Sequence, residues 1–150
     1  IGETDMLCKA SKLIDFTSYR TVSYLTGRRF ITCPYIFLRT SLCSKKILVG
    51  NQSSVDPYTG YATPKTPNCF EDVYFSMDSE LMIKYSKYCQ LNRNPPPGVG
   101  SEQLLYSFIH ENGYDYEELE HLGCIRNDWE RWGTLTPNLY TRERSNFKVS

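Results

Sequence analysis

The sequence predicts a mainly helical chain, or an α+β chain with a minor short-strand component, and three observations carry that expectation. Apolar residues recur every three or four positions in "SELMIKYSKYCQL" and "EQLLYSFIHEN", which is the period of an amphipathic helix. Period-two alternation is confined to brief stretches such as "EDVYFS". Gly27, the run Pro95 to Pro97, Gly113 and Gly123 stand where helices would have to end.

Taken in order, residues 5–26 read as the first helix, with Leu7, Ala10, Ile14, Val22 and Leu25 near helical spacing and Gly27 as a C-terminal cap. The stretch is rich in Thr and Ser, which are weak helix formers. Phe30 to Cys33 reads as a short strand. Pro34 suits the first turn of a second helix over about 34–47, with a strand through Leu38 as the competing reading. Residues 50–68, "GNQSSVDPYTGYATPKTPN", show no sustained period and read as one long loop, a length that in a compact domain usually serves binding or linkage.

The clearest helix spans about 77–92, where Leu81, Met82, Tyr85, Tyr88 and Cys89 form one apolar stripe and Asp78 or Ser76 can cap the start. "NRNPPPGVG" stops it and reads as a stiff connector. Ser101 then caps a helix over 101–112 with Leu104, Leu105, Phe108 and Ile109 on one face, and Asp115 caps a short helix over 115–122. The expected organisation is one small domain over residues 1–125, followed by an extended C-terminal tail over 126–150.

Composition excludes several classes. Apolar residues at 40% and charged residues at 23% place the chain with globular proteins, away from disordered and membrane classes. The most apolar stretch, "FITCPYIFLRTSLCSKKILVG", is interrupted by Arg39, Lys45 and Lys46, so no transmembrane segment is expected. A net charge of zero argues against nucleic acid as a partner. The charge is segregated, at +5 over residues 1–50, −8 over 51–130 and +3 over 131–150, which suits neutralisation within or between subunits.

Six cysteines, Cys8, Cys33, Cys43, Cys69, Cys89 and Cys124, would permit three disulfides in a secreted protein. No CxxC occurs, and Cys43 and Cys89 fall at apolar helical positions, so packed thiols are the preferred expectation and zinc is not. The chain starts at Ile1 instead of Met, consistent with a removed leader or a fragment, and intracellular or organellar placement, such as mitochondrial, is preferred over secretion. A sequon at Asn51 would matter only in the secreted case.

The densest ionisable stretch is "DYEELEHLGC" at 115–124. On a helix capped by Asp115, Glu117 and Glu118 would occupy the first turn and His121 the last, each complementing the helix dipole. The Glu118/His121 spacing matches one element of a di-iron bundle, but that chemistry needs two such elements and further Glu residues, and the chain has only two histidines, His110 and His121. No metal, cofactor or catalytic residue is therefore assigned. Cys124 beside His121, and Ser101 at a helix start, are the remaining candidates for a small hydrolase or transferase, which is the third-ranked reading.

The leading expectation is a non-catalytic accessory or structural subunit whose partners are other protein subunits. Its contacts are expected in the long loop and the tail, through Tyr58, Tyr61, Trp129, Trp132 and Tyr140, because Tyr and Trp dominate interface hot spots. The second reading is a secreted binding module with up to three disulfides.

Overall fold

A computed structural model describes residues 2–26, 29–31, 34–50, 67–119, 124–127 and 135–138. In chain order the elements are helix α1 (Gly2–Leu13), a 3-10 turn (Phe16–Ser18), strands β1 (Thr21–Leu25) and β2 (Arg29–Ile31), helix α2 (Tyr35–Leu42) and strands β3 (Ile47–Gly50) and β4 (Glu71–Asp78). Helices α3 (Ser79–Leu91) and α4 (Ser101–Glu111) follow, then strands β5 (Glu117–Leu119), β6 (Cys124–Asn127) and β7 (Leu135–Asn138). The chain is mixed α+β.

A four-stranded sheet in the order β1-β4-β3-β5 organises the core. β4 runs antiparallel to both neighbours, pairing Phe75 with Tyr24 on one side and with Val49 on the other. β3 and β5 are parallel, with Leu48 opposite Glu117. The register of β3 on β4 shifts between Val49 and Gly50, so that Gly50 pairs with Glu71. A second, three-stranded antiparallel sheet joins β2, β6 and β7.

Alternation along the strands divides the four-stranded sheet into two unlike faces. Val22, Tyr24, Ile47, Val49, Phe75 and Met77 join Leu7, Leu81, Tyr85, Leu105 and Phe108 from α1, α3 and α4 in the main core. The aromatic rings interlock there: Tyr24 stacks on Phe75 at 5.1 Å, and Phe75 meets Tyr85 edge-on at 5.5 Å. On the opposite face, Leu48, Tyr74 and Leu119 pack with Ile36 of α2 in a smaller cluster.

The helices expected over 77–92 and 101–112 stand close to those bounds, as α3 and α4. Gly113 terminates α4 with φ +64°, and the Tyr114 N–H returns to the Ile109 carbonyl at 3.0 Å. Gly98, at φ +87°, closes a turn in which the Val99 N–H donates to the Pro96 carbonyl. Ser101 is not the cap of α4 but its first residue: the N-cap is Gly100, whose N–H donates to the Gln103 side chain at 2.7 Å.

Three expectations need correction. The helix over 5–26 ends at Leu13, and its second half is the 3-10 turn and β1. Asp15 starts that break by accepting from the Thr17 N–H and the Thr17 and Ser18 hydroxyls, local bonds that offer the backbone an alternative to helix. The helix over 34–47 ends at Leu42, and Ile47 opens β3. The helix over 115–122 is replaced at Glu117–Leu119 by β5, because Leu119 gains burial beside β3 that a free two-turn helix could not provide. Part of the expected extended tail also has an intrachain partner, since residues 124–127 and 135–138 pair in the second sheet. The loop at 51–66 and the rest of the tail lie outside the described residues.

Phe75→Ala is expected to cost about 3–5 kcal/mol in urea unfolding. Leu91→Ala, at a position 86% exposed on the same layer of helices, should stay within about 0.5 kcal/mol.

Candidate functional site

The second face of the four-stranded sheet is only partly sealed by α2. Helix α2 has eight residues and turns Ile36 and Thr40 inward, so the end of the sheet near Asp78 is left open. The result is a groove of about 540 Å³ between α2, residues 43–46 and the sheet.

Its floor is a row of hydroxyl groups. Thr40 Oγ1 lies 2.5 Å from Tyr74 Oη and 2.7 Å from the Ile36 carbonyl oxygen, to which it donates. Tyr74 Oη donates to Ser23 Oγ at 3.1 Å, and Ser23 donates to Ser76 Oγ at 3.2 Å. The row arises because β4 places Tyr74 and Ser76 on one face while Phe75 and Met77 occupy the other. Burying hydroxyls costs free energy unless they are paired, and here Thr40 is paired with the Ile36 carbonyl, Tyr74 with Ser23 and Ser23 with Ser76. Arg20, Lys46 and Asp78 line the open end, and Phe37 contributes an apolar wall.

Glu117 holds the groove in shape from across the chain. One carboxylate oxygen accepts from the Ser44 N–H at 2.8 Å, the Ser44 hydroxyl at 2.6 Å and the Lys45 N–H at 3.2 Å. The other meets Arg39 of α2 at 3.3 Å. The Ser44 hydroxyl is the main reason that this carboxyl is held below its ordinary range, with the Ser44 and Lys45 amides and Arg39 adding to it. Lys45 Nζ further pairs with Asp115 Oδ2 at 3.1 Å, on the exposed surface. Thus Asp115, expected as a helix cap, and Glu117, expected in the first turn, instead tie β5 and the residues before it to the segment that leaves α2. The signal for the groove floor was present in "VYFSMD"; the signal for Glu117 was not, because its partners lie 72 and 73 residues earlier.

The other candidate residues have separate places. Ser101 is buried and donates to Glu3 Oε2 at 3.1 Å, while Thr26 donates to Glu3 Oε1 at 3.1 Å; this carboxylate joins the starts of α1 and α4 to the end of β1. His110 stacks on Tyr106 with ring centroids 4.0 Å apart and faces Phe70 and Tyr116. Cys8, Cys69 and Cys89 are buried free thiols, and Cys43 is a half-buried one lining the groove. Cys43 caps α2 instead of lying within a helix. Burial pushes the Cys89 thiol up to about 12, and raises Cys8 and Cys43 as well. Cys124 stands in β6.

Cys33, His121 and the interface candidates Tyr58, Tyr61, Trp129, Trp132 and Tyr140 lie outside the described residues. Among the described residues, no three His, Cys, Asp or Glu side chains gather as metal ligands would, and no helix is long and apolar enough to cross a membrane.

Glu117→Gln should lower stability by about 1–3 kcal/mol at neutral pH, the range for hydrogen bonds to a charged group. A depressed carboxyl stabilises the fold above its unfolded value of 4.5, and that contribution fades as pH falls below it. Urea melts of the two proteins should therefore differ at pH 7 and converge in acid. Iodoacetamide labelling of the folded protein, mapped by peptide mass, should reach Cys43 before Cys8, Cys69 or Cys89. No protein-family model, curated protein or solved structure matches the chain.

Proposed function

We propose that the protein is a non-catalytic accessory or structural subunit of a larger protein assembly, and that α2 supplies one of its contact surfaces. The observation that carries this reading is the two-sided character of α2. Ile36 and Thr40 turn toward the sheet, while Phe37, Leu38 and Leu42 are 58%, 54% and 63% exposed on the outer side. In helical projection these three fall within one sector with Ser41 between them, so they form a strip and are not scattered. Large apolar side chains grouped at the surface mark interaction sites.

The strip lies in a basic neighbourhood, since residues 34–46 carry Arg39, Lys45 and Lys46 and no acid. The partner that fits is another protein chain presenting an apolar ridge with acidic residues at its rim.

The test is affinity isolation of the tagged protein from its native source, with cross-links mapped by mass spectrometry, for wild type and a Leu38→Glu/Leu42→Glu variant. The expected result is a companion protein cross-linked through Lys45 or Lys46 in wild type and lost in the variant. Both proteins should keep the same unfolding transition, since neither leucine is in the core. A companion retained undiminished by the variant would remove α2 from the interface, and monomeric wild-type protein with no stoichiometric companion would refute the subunit reading.

A further inference from the structure

The groove beside α2 has a chemistry that a protein contact on the outer face does not use. We propose that it is a binding site for a small phosphorylated sugar, with the phosphate at Arg20 and Lys46 and the sugar hydroxyls over Ser23, Ser76 and Asp78. The proposal goes beyond the subunit reading, and the two share only Phe37, which borders both the outer strip and the groove.

Four polar groups facing the groove are left with unused capacity among the described residues. Among the described residues, Arg20 and Lys46 have no carboxylate within ion-pair distance, in contrast to Arg39 and Lys45, which are engaged by Glu117 and Asp115. Asp78 occupies the N-cap position of α3 but makes no side-chain capping bond, so its carboxylate is available to accept. Ser76 is 2% exposed and accepts from Ser23, which leaves its own hydroxyl hydrogen to donate.

Register brings these groups together. Thr21 is paired with Asp78, which places Arg20 beside that end of β4. The Asp78 N–H donates to the Lys46 carbonyl at 2.9 Å, which fixes Lys46 on the other flank. Of the three cations that line the groove, Lys45 is paired with Asp115, so Arg20 and Lys46 against Asp78 leave a single net positive charge, suited to a phosphate monoester and not to a polyanion. Charge-assisted hydrogen bonds from Arg and Lys would hold the phosphate oxygens. Deeper in, the hydroxyl row offers both donors and acceptors, which a polyol matches and an aliphatic ligand does not. Phe37 then provides an apolar wall for the C–H face of a sugar ring. The volume, about 540 Å³, is within the usual range for small-molecule sites of roughly 300–1,000 Å³.

Calorimetric titration of the full chain with glucose 6-phosphate, glucose and inorganic phosphate tests the assignment. Glucose 6-phosphate should bind at least tenfold more tightly than either fragment, and Arg20→Gln/Lys46→Gln should weaken it at least tenfold, a loss of about 1.4 kcal/mol. Ser76→Ala should weaken glucose 6-phosphate while leaving inorganic phosphate unchanged. Lys46→Gln alone, at an exposed position, provides a second readout with the fold checked by thermal unfolding. Equal affinity for glucose 6-phosphate and inorganic phosphate would reduce the groove to a simple anion site and overturn the proposal. So would failure of all three ligands to bind at millimolar concentration, or binding that the charge variants do not change.

Discussion

The burial of β3 on both faces is the constraint on which the rest of the structure depends. Ile47, Leu48 and Val49 are all at or below 1% exposure, although a strand sends successive side chains to opposite sides. Two covering layers are therefore required. The layer of α1, α3 and α4 meets Ile47 and Val49, and α2 with Leu119 meets Leu48. Because the first layer has three helices and the second has one short helix, the two sides end up with different chemistry. The side under three helices is a closed aromatic core; the side under α2 is a small apolar cluster that opens into a polar groove.

That asymmetry gives Glu117 its importance. Parallel pairing of β5 with β3 positions the carboxylate beside the backbone of residues 44 and 45, where N–H groups past the end of α2 would otherwise need water. A single side chain thereby satisfies two amides, one hydroxyl and one guanidinium, and fixes the path by which the chain leaves α2 and enters β3. The outer strip of α2 and the groove beneath it are held by the same anchor.

Helices α3 and α4 were readable because their apolar residues repeat over three turns and satisfy a local pattern. The hydroxyl floor was half readable: Tyr74 and Ser76 alternate with Phe75 and Met77, so a strand with one polar face could be inferred, but nothing nearby in sequence names Ser23 and Thr40 as their partners. The Glu117 anchor was misread. Asp115, Glu117, Glu118 and His121 satisfy every local rule for a capped helix, and the distant amides of Ser44 and Lys45, with the burial of Leu119 beside β3, make a strand the better state for Glu117–Leu119.

The sequence by itself determined the mixed apolar periodicity, the positions of the strongest helices, their glycine terminators and the segregation of charge. These depend on neighbours within a few residues, where backbone geometry sets which side chains share a face. Only the tertiary structure decided that the second half of the first expected helix becomes β1, that 117–119 joins the sheet, and that cations and hydroxyls from four separate segments meet in one groove. Those outcomes depend on pairing energies between residues 34 to 73 positions apart, and propensities over short windows are too weak to override them.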